Sequence, residues 1–70
     1  MQYMVVIEQG EDSYGAYVPD LPGCVAVGKT REEALSLIQE AIVLHLEMLH
    51  EDSLPIPQPH LVREYVAVAT

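Results

Sequence analysis

Between Thr30 and Asp52 the chain runs without a glycine or a proline, and no other feature constrains its fold as much. Thr30-Arg31-Glu32-Glu33 has the spacing of a capping box, in which the threonine hydroxyl accepts from the third helical amide and Glu33 reaches back to the Thr30 amide. Glu32 and Glu33 also set negative charge at the positive end of the helix dipole. Good helix formers follow as far as Asp52-Ser53, and Pro55 forbids continuation. The expected helix has about twenty residues and is roughly 30 Å long.

Two apolar stripes run along this helix. Leu35, Ile38, Ile42, Leu46 and Leu49 recur at three- and four-residue spacing, the pattern of a face that covers a sheet. Leu37, Ala41, Leu44 and Met48 recur in the same way roughly a fifth to a third of a turn away. One stripe suffices for a helix on one sheet, so the second is surplus and is expected to contact another copy of the chain. The alternative is a deeply seated helix whose stripes form one wide core face.

The other segments read as strands. Tyr3–Glu8 is β-branched and aromatic with few polar interruptions, as in a largely buried strand. Gln9-Gly10-Glu11-Asp12-Ser13 breaks it, and Tyr14–Val18 resumes the β-type composition, so the two form a hairpin. Pro19-Asp20-Leu21-Pro22-Gly23 halts the ladder, because two prolines remove donors and Gly23 tolerates positive φ. Cys24–Val27, ending at Gly28, is a third strand that completes an antiparallel meander. Beyond the helix, Leu54-Pro55-Ile56-Pro57-Gln58-Pro59 is a stiff, extended connector. It leads to Leu61–Ala69, whose alternation (Val62, Tyr65, Val66, Val68) predicts a final strand beside the first. The expected architecture is α+β in the order β-β-β-α-β, a three-stranded meander, one long helix and a last strand, as a single domain over residues 1–70.

A chain of 70 residues is marginal as a monomer and commonly needs a staple. Cys24 is the lone cysteine, so an intramolecular disulfide is impossible, and His45, His50 and His60 lack the thiol pair of a zinc finger. Oligomerisation remains. No apolar run reaches the roughly 18 to 20 residues of a membrane span. The N-terminus lacks the basic region of a signal peptide, and one unpaired thiol suits a reducing cytoplasm.

Eleven acids against Lys29, Arg31 and Arg63 give a net charge of -8. That excludes a binder of nucleic-acid backbones, whose affinity comes from cations, and favours a basic partner. Catalytic groups are sparse. His45 and His50 are five residues apart, one more than two ligands on a helical face need. Cys24 has no histidine nearby in sequence and reads as a small buried hydrophobe. The four glycines form no phosphate-cradling loop. Glu11, Asp12 and Asp20 could together hold Mg²⁺ for nuclease chemistry, but a solvated hairpin tip and a turn-starting Asp explain them better. All eleven acids are expected on exposed surface, and no cofactor is expected.

Tyr14-Gly15-Ala16-Tyr17-Val18-Pro19-Asp20-Leu21-Pro22-Gly23-Cys24, followed by Gly28-Lys29-Thr30-Arg31-Glu32-Glu33-Ala34 and the proline-spaced Leu54–Pro59, resembles the HicB-like antitoxin family over essentially the whole chain. The resemblance implies a partly degenerate ribonuclease-H-like fold. It also implies the antitoxin half of a HicA–HicB pair, which covers the active site of a small, basic, mRNA-cleaving HicA-like toxin. Glu11, Asp12, Asp20 and Tyr17 are the expected partner contacts, and Leu37, Ala41, Leu44 and Met48 the expected contacts of a homodimer or homotetramer. Many family members continue into a DNA-binding domain. This sequence stops at Thr70 with the wrong charge for DNA, so autoregulation by it alone is not expected. The competing readings are a Mg²⁺-dependent nuclease using Asp20 with Glu11 or Asp12, and an orphan structural oligomer without a toxin.

Overall fold

The computed structural model describes residues 1–69. Three strands, β1 (Val6–Gln9), β2 (Tyr14–Tyr17) and β3 (Val25–Gly28), precede one helix, α1 (Arg31–Glu51). The strands form an antiparallel meander in the order β1-β2-β3. Ile7, Ala16 and Ala26 lie side by side across it. The Gly10 amide closes the first turn on the Ser13 carbonyl at 2.8 Å. Between β2 and β3 the chain folds under the sheet's end, with the Leu21 amide bonded to Val18 and the Cys24 amide to Leu21. Leu21 is thereby sealed completely. Gly23 takes φ +86°, the left-handed conformation that only glycine adopts freely.

The helix lies on one face of the sheet, mostly over β3 and β2. The core comprises Ala16, Val18, Leu21, Cys24, Ala34 and Ile38, with Tyr3, Val5, Ile7, Tyr14 and Ala26 packed around it. Small residues on both sides allow close approach. At Gly28 a Cβ would fall 2.6 Å from the Ala34 nitrogen, so helix and strand touch backbone to backbone.

The cap forms with one difference from its expected pattern. The Glu33 amide donates to Thr30 Oγ1 at 3.0 Å, but Glu33 Oε1 accepts from the Lys29 amide, one residue before Thr30. At the other end Leu54 donates to the Leu49 carbonyl and Ser53 to that of His50. This is a Schellman closure, with Ser53 in the left-handed region at φ 55°.

The helix outruns its support. Its 21 residues span about 31 Å, whereas a four-residue strand covers about 13 Å. Only Ala34 and Ile38, near its start, are fully buried. Ala41, Ile42 and Leu46 are half-buried against the core, as are Leu35 and Leu49 at the margins. Ala41 therefore packs with the sheet-covering stripe. Its expected companions Leu37, Leu44 and Met48 are exposed, as is Val43.

The final strand is where expectation fails. Leu61–Ala69 pairs with nothing among the described residues, and Val62, Tyr65, Val66 and Val68 are 76–84% exposed. The connector explains why. The Tyr3 hydroxyl donates to the Pro57 carbonyl, and the His60 amide donates to Asp20 Oδ2 at 3.3 Å. These bonds bring the chain in beside Gln2–Val5, ahead of the β1 ladder, across an open groove of about 410 Å³ that Leu61 and Arg63 also line. The strand-forming residues are carried past the sheet. The radius of gyration is accordingly 14.0 Å, against about 11 Å for a compact chain of this length.

Candidate functional site

One face of the sheet is under the helix and the other is bare. The bare face carries two cross-strand rows, Val6–Tyr17–Val25 and Glu8–Gly15–Val27. Val25 and Val27 are 65% and 66% exposed, and Tyr17 37%. In the second row a Cβ at Gly15 would meet nothing within 4 Å, so a shallow notch lies between Glu8 and Val27. The sizes are inverted relative to an ordinary half-buried sheet. β3 turns Ala26 and Gly28 inward and its valines outward, and β2 turns Ala16 inward and Tyr17 outward. Such a face suits a macromolecular partner rather than solvent.

Acidic groups rim this surface unevenly. Glu8, Glu11 and Asp12 are exposed at the hairpin end of the sheet, and Glu32, Glu33, Glu40, Glu47 and Glu51 are exposed on the helix. Asp20 departs from expectation. It is only 5% exposed, because the connector closes over the β2–β3 loop. Its Oδ2 accepts from the His60 amide. Its Oδ1 lies 2.5 Å from His60 Nδ1, an ion pair whenever that imidazole is protonated. The acid thus anchors the connector. It also sits at the opposite end of β2 from Glu11 and Asp12, so the three carboxylates of the competing nuclease reading do not converge. Among the described residues no three His, Cys, Asp or Glu side chains come together as a metal site.

Cys24 is buried, and loss of hydration pushes its thiol above the ordinary 9.0, which keeps it protonated and unreactive near neutrality. Among the described residues no helix is long and apolar enough to cross a membrane.

Sequence reasoning found Tyr17, Glu11 and Asp12 on accessible surface but missed Val25, Val27 and Val43. The Cys24-Val25-Ala26-Val27-Gly28 run held the signal, since its alternation is one of size rather than polarity.

A family model described as the HicB_like antitoxin of bacterial toxin-antitoxin systems matches residues 3–69. An uncharacterised 14.9 kDa protein of Haemophilus phage HP1 is 38% identical over 66 residues, 94% of this chain and 50% of that protein. A UPF0150 protein of Thermoplasma acidophilum is 46% identical over 59 residues, 83% of this chain and 86% of its own length. Antitoxin HicB 2 of Photorhabdus laumondii is 39% identical over 59 residues, 84% of this chain and 42% of its own. The chain thus spans about half the length of the phage protein and of that antitoxin, and most of the archaeal relative.

Proposed function

We propose, from the premise that this chain belongs to the HicB-like antitoxin family of bacterial toxin–antitoxin systems, that it neutralises a small basic HicA-like ribonuclease in the cytoplasm by covering the surface with which the toxin binds mRNA. The bare sheet face carries the proposal. Tyr17, Val25 and Val27 supply an apolar centre, and Glu8, Glu11 and Asp12 supply flanking charge. The carboxylates take the place of RNA phosphates, so opposite charge steers encounter and aligns the partners, while burial of the apolar centre holds them. Asp20 contributes through the connector it anchors and performs no chemistry. The action is occlusion, without catalysis or cofactor.

Two further parts belong to the same proposal. The meander and helix are a reduced ribonuclease-H-like unit, and Leu37, Leu44 and Met48, with Ala41 at their margin, form a contact in a homo-oligomer. Light scattering tests the second part, since Leu44→Glu places a charge in that contact and lowers the assembly mass.

On this reading the toxin is expected to be a basic chain encoded in the adjacent reading frame. Co-expression should restore growth, and the two chains should co-purify. Val25→Glu and Tyr17→Glu should abolish both effects while leaving the helical circular dichroism unchanged. Reversing Glu11 and Asp12 to Lys should slow association and flatten its salt dependence. If Val25→Glu and Tyr17→Glu neutralise the toxin as well as the parent chain does, the sheet face is not the binding surface.

A further inference from the structure

Leu61–Ala69 combines strong β-composition, exposure that rises from 38% at Leu61 to 76–84% at Val62, Tyr65, Val66 and Val68, and a row of backbone groups that no strand of its own chain pairs among the described residues. A segment of this kind is a template for another strand. We propose that it pairs antiparallel with the same segment of a second copy, with the two-fold axis at Tyr65.

Charge selects the second copy over a basic protein. Arg63 and Glu64 cancel, so the whole net charge of -8 resides in residues 1–60, where Lys29 and Arg31 face ten acids. A cationic partner is drawn to the body and gains nothing from this neutral strip. Two copies, whose bodies repel, meet best along it.

Symmetry and side-chain pairing select the register. In a two-fold antiparallel pair one residue lies opposite its own counterpart. Centring on Arg63 or Glu64 would set like charges face to face, which is unfavourable. Centring on Tyr65 stacks the two tyrosines and sets Val62 opposite Val68 of the second copy. These are the aromatic and β-branched pairs that stabilise adjacent strands. Each charge then faces a small or apolar residue, Arg63 opposite Ala67 and Glu64 opposite Val66. Arg63 already lies 5.5 Å from the centre of the Tyr65 ring in its own chain, and the counterpart ring falls on its diagonal.

The groove completes the arrangement. A bare two-stranded ribbon is marginal in water, but Leu61 and Arg63 form one wall of the groove of about 410 Å³ whose other wall is Gln2–Val5. In this register Ala67, Val68 and Ala69 of the second copy run along Leu61–Arg63 and enter it. The inference is independent of the toxin reading.

Site-specific cross-linking and sedimentation equilibrium test it on the full chain. Under mild oxidation Tyr65→Cys should form a covalent dimer at least tenfold faster than Glu11→Cys, which puts a thiol on the exposed hairpin end, away from both proposed contacts between copies; Cys24 is buried and does not compete. Tyr65→Pro removes a donor at the centre of the pair and should weaken dimerisation at least tenfold. Residue 65 is 84% exposed, so the helical signal should not change. Equal cross-linking rates for the two cysteine variants would overturn the proposal. So would an unchanged mass-versus-concentration curve for Tyr65→Pro, whether the segment then folds onto its own β1, the helix stripe alone joins the copies, or a basic protein occupies it.

Discussion

Replacing Gly28 by alanine should unfold the domain more readily than any comparably small change. The added Cβ would stand 2.6 Å from the Ala34 nitrogen, 3.0 Å from the Glu33 carbonyl carbon and 3.1 Å from the Ala34 Cα. Ordinary contact needs about 3.5–4.0 Å, so the helix start must retreat by about 1 Å. All three atoms are backbone, so no side-chain rotation relieves the clash. Ala34 is fully buried, and Glu33 is bound to Thr30 and Lys29, so the retreat also disturbs the core and the cap. Overpacking costs about 1–3 kcal/mol, and immovable neighbours place this case near the upper end. A domain of this size has only about 4–10 kcal/mol in total, and each kcal/mol moves its melting temperature by about 4–8 °C. The expected fall is therefore about 12–24 °C in a thermal melt followed at the helical band. Gly15→Ala is the control: its Cβ meets nothing within 4 Å, so reduced backbone entropy should leave it neutral or better by about 0.5 kcal/mol. Were the two alanine variants to melt within about 2 °C of each other, the backbone contact would not limit the packing and the reasoning would be wrong.

Ser53→Gly should stabilise the chain by about 0.5–1 kcal/mol, visible as a higher urea midpoint at constant slope, because φ 55° is strained for serine and free for glycine. Thr30→Ala should cost about 1 kcal/mol by the same measurement, since the Glu33 amide loses its 3.0 Å acceptor. Cys24 makes stability depend on pH at the alkaline end. Its folded pKa is raised above the ordinary 9.0 by burial, so its contribution is complete below that value and is lost as pH rises through the folded pKa. The difference in urea midpoint between the parent chain and Cys24→Ala should be flat below about pH 8 and shrink above about pH 9.

The helix and the meander were legible because their signals are local. Thr30 and Glu33 mark one end of the helix, Asp52-Ser53 and Pro55 the other, and Gly23 with two prolines marks the strand break. Asp20 and Leu61–Ala69 were misread for a shared reason. Composition says that Leu61–Ala69 suits a strand, but pairing depends on where the connector delivers it, and that is set by Tyr3 on Pro57 and Asp20 on His60, contacts 54 and 40 residues apart in sequence. The same long-range contacts bury an acid that polarity alone puts on the surface. Ala41 lies at the boundary between the two helical faces, and its small side chain packs against the core from there.

The exposed valines of β3 and the overhanging helix point to one conclusion about stability. With four-residue strands, small inward side chains and only two fully buried helical residues, the monomer hides little of its apolar surface. The apolar area it leaves bare lies in three separate places, on the sheet face, on the outer helix and along Leu61–Ala69. A single interface cannot cover all three, because the sheet face and the helix are on opposite sides of the layer. An oligomer built through the helix and the C-terminal segment would leave the sheet face open, which is what a chain needs if it must be a stable assembly before its toxin arrives. Mutations at Tyr65 or Leu44 should therefore change assembly mass and leave toxin affinity per chain nearly intact, whereas Val25→Glu should do the reverse. If instead toxin affinity and assembly mass fall together in all three variants, the surfaces are not separate and the division of labour does not exist.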